Sequence, residues 1–171
     1  MITVTIDPQV GAHVRIGLVE ARQVLVRPAE EALRGELDAV ARALRDRYSG
    51  LEPAQIDGLQ PARELYKRLG IDPTRLRPSS EALLRRVLRG EEVPAYSVER
   101  RLVLADETGP CGTHTSDSVR TMITAATVRC LMVVYAPSTL PAERLAAHVR
   151  TAAVRIQRYN GGTIVGTAVL P

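Results

Sequence analysis

The sequence predicts an α+β fold, in which helices pack on a mixed or antiparallel sheet of several strands. Two long segments, 28–48 and 145–159, repeat apolar residues every three or four positions, as amphipathic helices do. Short apolar runs, of which Thr163–Leu170 is the clearest, alternate as strands do. Between them, segment 62–94 combines two shorter helices with a polar connector. At 171 residues the chain fits one domain, predicted to span residues 1–171.

The first quarter of the chain is predicted to contain three strands and a long helix. Residues 1–6 alternate between apolar and polar side chains and end at Asp7-Pro8, which breaks a strand. Residues 14–19 and 23–26 then resemble a pair of strands around a turn at 20–22. The helix 28–48 follows, with one apolar stripe and an opposite face rich in Glu, Asp and Arg.

Segment 62–94 has clear helix start and stop signals. Pro61 suits the first turn of a helix, and Gly70 suits its left-handed end. After a connector with two prolines, Ser79 or Ser80 is predicted to cap the second helix, which stops at Gly90. Three aliphatic residues are predicted to form the buried face of that second helix: Leu84, Val87 and Leu88.

The most polar uncharged run of the chain, 111–124, follows a predicted strand at 102–105 and a turn at 106–110. An apolar strand at 127–135 comes after it, so a rigid scaffold is expected to present the polar run. Hydroxyls, an imidazole, a carboxylate and a guanidinium occur together in this run. It is therefore the predicted functional site, and the alternative is a turn stabilised by hydrogen bonds to its own backbone.

Three more specific interpretations of this run, a catalytic triad, a metal site and a cysteine nucleophile, are less well supported. Ser116 or Ser118 with His114 and Asp117 could form a triad, but triad members usually come from separate segments. Cys111-x-x-His114 lacks the second pair of ligands that structural zinc needs, so no metal site is predicted. Cys111 as a nucleophile lacks an evident base. No phosphate-binding glycine pattern occurs, and no cofactor is predicted.

The formal net charge is +4, a mild basic excess that is compatible with a nucleic-acid partner. Most arginines are expected to lie on solvated helix faces. Phe and Trp are absent, so only five tyrosines could stack on bases. Five cations on the two helices of segment 62–94 are predicted to form the main basic patch and to contact RNA: Lys67, Arg68, Arg85, Arg86 and Arg89.

Two cysteines are too few for a disulfide framework, and no secretory signal is evident at the N-terminus. No segment approaches the ~20 apolar residues of a membrane span. We therefore expect a reduced, cytoplasmic protein without a membrane partner.

Segment 62–94 contains three short motifs: Arg63-Glu-Leu-Tyr66-Lys67, Gly70-x-Asp72-Pro73 and Arg77-Pro78-Ser79-Ser80-Glu81-Ala82-Leu83. Together with Asp106-x-x-Gly109 and the threonine spacing that follows Arg120, they closely resemble one protein family. The family is the B3/B4 domain, known from the β subunit of bacterial phenylalanyl-tRNA synthetase and from free-standing proteins. In the synthetase it is the editing domain, which hydrolyses tyrosine mis-attached to the phenylalanine tRNA.

The resemblance implies a B3/B4-like fold, a tRNA or aminoacyl-tRNA partner, and ester hydrolysis acting in trans rather than a full synthetase. In the family, the loop and strand matching the polar run help form the pocket for the mischarged amino acid. An aminoacyl ester is already activated, so donors that orient the carbonyl and a water suffice. The residues predicted to do this work, without a covalent intermediate, are Thr113, His114, Arg120 and Thr121.

Two departures from the family keep other functions open. The family's stretch rich in Asn, Asp and Ser, with further strands, has no counterpart near residues 96–101. The strand 129–135 also lacks the glutamate that reads the tyrosine hydroxyl in the synthetase. The alternatives are a non-catalytic module that binds an amino-acid-like small ligand, and a protein-interaction domain.

Overall fold

The computed structural model describes residues 2–27, 31–91, 103–113 and 118–171. Within these ranges lie five α-helices and five β-strands, and the predicted α+β class is confirmed. In chain order they are α1 (Pro8–Gly11), β1 (Val14–Arg22), α2 (Glu31–Tyr48), α3 (Gln60–Arg68), α4 (Ser79–Arg89), β2 (Val103–Asp106), β3 (Gly109–Thr113), β4 (Arg129–Pro137), α5 (Ala142–Asn160) and β5 (Thr163–Leu170).

The chain forms two compact units. The terminal unit consists of Met1–Pro28 and Ile123–Pro171, and the inserted unit is Ala29–Met122. The single B3/B4-like domain expected over residues 1–171 stays a prediction. The family segment missing near 96–101 lies outside the described residues.

The terminal unit is built on a three-stranded antiparallel sheet in the order β4-β1-β5. Helix α5 packs on β1 and β5 and supplies Leu145 and Val149 to a core that also contains Val19. Gly17 allows this close approach, since a Cβ there would lie 2.4 Å from Cγ2 of Val149. The central strand is buried along nearly its whole length.

Two strand predictions near the N-terminus are wrong. Residues 2–6 form no strand, and Asp7 caps the short helix α1 by accepting a hydrogen bond from the Gln9 amide. Instead of two short strands around a turn at 20–22, β1 continues to Arg22 and ends at Gln23, whose φ is 56°. The Glu-Ala-Arg triplet resembled a turn because it is polar, yet Glu20 is fully buried.

The inserted unit contains the three helices α2, α3 and α4 and the hairpin of β2 and β3. Helices α2 and α4 pack together, and Leu84 of α4 is buried with Ile56 and Leu59. Helix α4 ends at Gly90, as the sequence predicted, and Gly90 adopts the left-handed conformation. The N-cap of α4 is Pro78, so neither predicted serine occupies that position.

None of the helices in the described ranges is both long and apolar enough to cross a bilayer.

Candidate functional site

The candidate site includes the turn of the β2–β3 hairpin, which is stabilised by local hydrogen bonds. Asp106 ends β2, and its Oδ1 accepts hydrogen bonds from the Thr108 amide at 2.9 Å and from the Thr108 hydroxyl at 2.7 Å. Such carboxylate-to-backbone bonds stabilise turns without help from the rest of the fold. Gly109 follows with a φ of 124°, which favours glycine. The turn therefore fixes the Asp106 carboxylate at the edge of the hairpin.

Arg120 ties a later segment to this hairpin. Its Nη1 donates to Asp106 Oδ2 at 3.0 Å and its Nη2 to Asp106 Oδ1 at 3.1 Å, a bidentate pair. Nη2 also donates to the Gly109 carbonyl at 3.1 Å and lies 3.3 Å from Cys111 Sγ. Both charged side chains are nearly half exposed, so the pair orders the surface more than it stabilises the fold.

Each member of this pair stabilises the charged form of the other. Hydrogen bonds from Arg120, and after it from Thr108, hold the pKa of Asp106 well below its usual range. The hydrogen bond to Asp106 likewise raises the pKa of Arg120. Asp106 is therefore a carboxylate and Arg120 a guanidinium at every pH at which the fold is expected to operate.

A second set of bonds holds residues 118–121 against β3. The Ser118 amide donates to the Cys111 carbonyl at 2.9 Å, and the Thr121 hydroxyl donates to the same carbonyl. The hydroxyls of Ser118 and Thr121 lie 3.0 Å apart. Cys111 is thus the residue at which these groups meet: its carbonyl accepts from the Ser118 amide and the Thr121 hydroxyl, and its Sγ lies beside Arg120.

The four residues predicted to be catalytic can now be placed. Arg120 and Thr121 lie together beside Cys111, both exposed. Thr113 ends β3, and nothing is described of its side chain. His114 lies outside the described residues. The catalytic roles of all four stay predictions.

Sequence reasoning assigned no role to Asp106, which organises this cluster. Its Asp-x-Thr-Gly turn pattern was visible, but its pairing with Arg120 joins residues 14 apart in the sequence. Nor did the sequence place the thiol of Cys111 beside that pair, where Sγ lies 3.4 Å from Asp106 Oδ2. The cluster can order a polar surface and present the Ser118 and Thr121 hydroxyls there.

The predicted RNA-binding cations lie on α3 and α4 of the inserted unit. Arg85 donates from Nε to Oε1 of Glu81 at 3.1 Å, and Arg63 donates from Nη1 to Oε2 of Glu81 at 2.6 Å. Glu81 is fully buried, so these two arginines compensate a carboxylate that has no water around it. Arg85 therefore has a structural partner and is not freely available to a phosphate.

The other four predicted cations divide into two pairs. Arg86 and Arg89 both approach Glu91, with Nη1 to oxygen distances of 3.7 and 3.0 Å. Lys67 and Arg68 are exposed in the last turn of α3, and no ion pair in the described part of the chain involves either. The strongest basic surface of the predicted five is therefore at the end of α3.

An open apolar cavity of about 310 Å³ lies in the inserted unit. Among the described residues that line it, only Ser80 and Tyr48 have polar side chains and none is charged. An amino-acid-like ligand carries an ammonium and a carboxylate, which would both lose their water here without a charged partner. The cavity does not suit that ligand. It is lined by Leu44, Tyr48, Ile56, Gly58, Leu59, Ser80, Leu83, Leu84 and Val87.

Among the described residues, no group of three or more His, Cys, Asp or Glu side chains could hold a metal ion. Comparisons with protein-family models, with curated proteins and with solved structures found no match.

Proposed function

We propose that this chain is a cytoplasmic, tRNA-binding protein of the B3/B4 editing type, which hydrolyses the ester of mischarged aminoacyl-tRNA in trans. The observation that carries the proposal is that Arg120 and Thr121 meet at Cys111, where Arg120 approaches the Sγ atom and the Thr121 hydroxyl donates to the carbonyl. The polar run that the family resemblance singled out is thus an ordered surface in its described part. Thr113, at the end of β3, and His114 after it follow Cys111 directly in the chain.

The chemistry asked of this surface is modest. An aminoacyl ester needs its carbonyl oriented, a water positioned and the developing oxyanion stabilised. In the proposal, the Thr121 hydroxyl exchanges its bond to the Cys111 carbonyl for one to the developing oxyanion. His114 acts as the base, since imidazole titrates near neutrality. Arg120 is a positioning residue, because its paired nitrogens are bound to Asp106 and hold the turn in place.

Binding of the tRNA is proposed to use the exposed cations at the end of α3. Lys67 and Arg68 are the members of the predicted patch without an ion pair in the described ranges. Phosphate contacts of this kind supply affinity without reading sequence.

The test is deacylation of a panel of mischarged tRNAs by the purified chain. We expect Thr121→Val to lower the rate by ~10²–10³. His114→Ala should remove the part of the rate that depends on a group titrating near neutrality. Thr151→Val on α5 is the matched control, because its hydroxyl bonds only within its own helix, to the Ala147 carbonyl.

No deacylation of any tRNA by the wild type ends the hydrolase proposal. Retained tRNA binding in the same samples would then favour the second candidate, a non-catalytic binding module. One observation already favours that candidate. Asp106 neutralises the charge of Arg120, which weakens Arg120 as a donor to an oxyanion.

A further inference from the structure

A buried carboxylate in the sheet of the terminal unit holds two arginines side by side. Glu20 is fully buried in β1, and its Oε1 accepts from both guanidinium groups. Arg129 donates from Nε at 3.1 Å and from Nη2 at 2.8 Å. Arg22 donates from Nε at 3.2 Å and from Nη2 at 3.1 Å. Because both groups bind the same oxygen atom, the two guanidiniums lie within a few ångströms of each other.

The strand register explains how the arginines meet. Arg22 and Arg129 are directly opposite each other on β1 and β4. Like charges in such a cross-strand pair repel. Glu20 lies two residues before Arg22 on the same strand, and therefore on the same face of the sheet. Its carboxylate reaches between the arginines and relieves the repulsion.

The carboxylate itself has all the partners that it needs. Its Oε2 accepts the Ile2 amide at 2.7 Å, in addition to the four bonds at Oε1. Burial raises the pKa of Glu20, but hydrogen bonds from Ile2, Arg129 and Arg22 outweigh it and bring the pKa to about 2. Glu20 is thus anionic near neutrality. One negative charge faces two positive charges, and a net charge of about +1 remains on this group.

That remaining charge reaches the solvent. The side chains of Arg22 and Arg129 are 52% and 49% exposed. Each uses its Nε and Nη2 edge for Glu20, and in the described part of the chain neither makes a bond through Nη1. Two ordered guanidinium groups therefore present unused N–H donors at the surface.

A hydroxyl extends this arrangement across the sheet. Thr163, on β5, lies opposite Arg22 on the side away from β4, and it is exposed. Arg129, Arg22 and Thr163 therefore form one cross-strand row at this end of the sheet. We propose that the row is a binding site for a phosphate group, either free phosphate or a phosphate of an RNA backbone. The planar fork of arginine matches phosphate geometry, and the threonine adds a neutral donor.

This proposal goes beyond the proposed function, because the row lies in the terminal unit and the candidate hydrolytic surface lies in the inserted unit. Its chemistry also differs from a purely structural ion triad. The two arginines that compensate the buried Glu81 are only 15% and 32% exposed, whereas both arginines at Glu20 are about half exposed. A structural triad would show no saturable affinity for an anion.

The experiment is an NMR titration of the intact chain with inorganic phosphate, at constant ionic strength maintained with chloride. We expect saturable shifts of the backbone amides of Arg22, Arg129 and Thr163. Arg22→Lys and Arg129→Lys keep a charge beside Glu20 but lose the fork, so each should weaken binding about tenfold. Thr163→Val should weaken it by about threefold, and Arg150→Gln, an exposed arginine of α5, should leave it unchanged.

A second titration separates the two sources of phosphate. The probe is a short, non-acylated single-stranded RNA, added to the same labelled protein. Shifts of the same amides at lower concentration, with displacement of inorganic phosphate, assign the site to an RNA backbone. Response to inorganic phosphate alone assigns it to a free phosphate group.

Absence of a saturable shift at the three amides with both probes would overturn the proposal. So would an affinity that stays unchanged in both lysine variants and in Thr163→Val. Should a lysine variant fail to fold, the exposed Thr163→Val still decides the outcome. Neither readout depends on deacylation, so failure of this site and failure of the proposed hydrolase are separate results.

Discussion

At the scale of single residues, Glu20 is one of two fully buried carboxylates among the described residues. A buried carboxylate without partners would be neutral at moderate pH, because desolvation disfavours its charge. Here the Ile2 amide and two arginines lower its pKa from 4.5 to about 2. The group is therefore more acidic in the folded chain than in the unfolded chain, and folding is linked to pH.

The first prediction concerns acid stability. Because the folded pKa of Glu20 is depressed, its stabilisation is fully present above about pH 4.5 and is lost as the pH falls toward about 2. We expect Glu20→Gln to lower the urea midpoint strongly at neutral pH, since both arginines lose their anion. The difference in urea midpoint between wild type and Glu20→Gln should become smaller as the pH falls from about 4.5 toward about 2.

The control for this measurement is Glu64→Gln, a change at an exposed position of α3. It should leave the free energy of unfolding within a few tenths of a kcal/mol of the wild-type value at neutral pH. If the difference in urea midpoint between Glu20→Gln and wild type stays constant from pH 7 to pH 2, ionisation of Glu20 does not contribute to stability as proposed.

The second prediction concerns close packing at Gly17. An added Cβ would lie 2.4 Å from Val149 Cγ2 and 3.3 Å from Leu145 Cδ1. Gly17→Ala should therefore cost ~1–3 kcal/mol through overpacking. The matched glycine is Gly35 in α2, where a Cβ would meet nothing within 4 Å. Gly35→Ala should stabilise the chain by about 0.5–1 kcal/mol. Chemical denaturation measures both, and an undisturbed Gly17→Ala would contradict the packing of α5 on β1.

At the scale of elements, the helices α2 to α5 were predictable from the sequence, whereas α1 and the end of β1 were not. Amphipathic spacing marked α2 and α5, because one stripe of each helix must find an apolar partner. The paired stop signals Gly70 and Gly90 were also read correctly, since both adopt the positive φ that glycine favours. Local chemistry decides such features, so a single sequence contains them.

The end of β1, residues 20–22, was missed because its deciding contacts are distant in sequence. Glu20 is polar and appeared to belong to a turn, yet Arg129, 109 residues later, compensates it in the sheet. The candidate site shows the same limit. The polar composition of residues 111–124 pointed to Arg120 and Thr121, but only the folded register pairs Arg120 with Asp106. Composition indicates where chemistry can lie, and tertiary register decides which groups meet.

The third prediction tests the packing of α4. Leu84 is buried with Ile56 and Leu59, so Leu84→Ala should cost ~2–5 kcal/mol. Leu88 packs against the edge of that cluster, so Leu88→Ala should cost less. Leu83, its neighbour on α4, is 42% exposed, and Leu83→Ala should cost about 1 kcal/mol or less. Equal unfolding midpoints for Leu83→Ala and Leu84→Ala would mean that the helix presents a different face.

At the scale of the whole molecule, the net charge of +4 is a weak guide to a nucleic-acid partner. What matters is how many cations remain available after internal pairing. Glu81 engages Arg85, and Glu91 engages Arg86 and Arg89. The predicted patch of five cations is thereby reduced to a smaller surface at the end of α3.

The fourth prediction follows from that count. If tRNA contacts this surface through Lys67 and Arg68, log affinity should fall with log salt, with about 0.7–0.9 of slope for each phosphate contact. Charge reversal of both residues should therefore remove between one and two units of slope and weaken binding at low salt. Reversal of Arg86 and Arg89 should remove about one unit at most, because Glu91 already offsets one of their two charges. Filter binding across a salt series measures both slopes.

The comparison of the two double variants decides which surface meets RNA. Unchanged affinity and slope after reversal of Lys67 and Arg68 would exclude the end of α3. A loss of two units on reversal of Arg86 and Arg89 would show that Glu91 releases its partners to phosphate. The free-energy cost of this exchange is small, because exposed ion pairs of this kind contribute at most about 1 kcal/mol. Arg85 cannot exchange its carboxylate partner for a phosphate in this way, because its departure would leave the buried Glu81 with Arg63 alone.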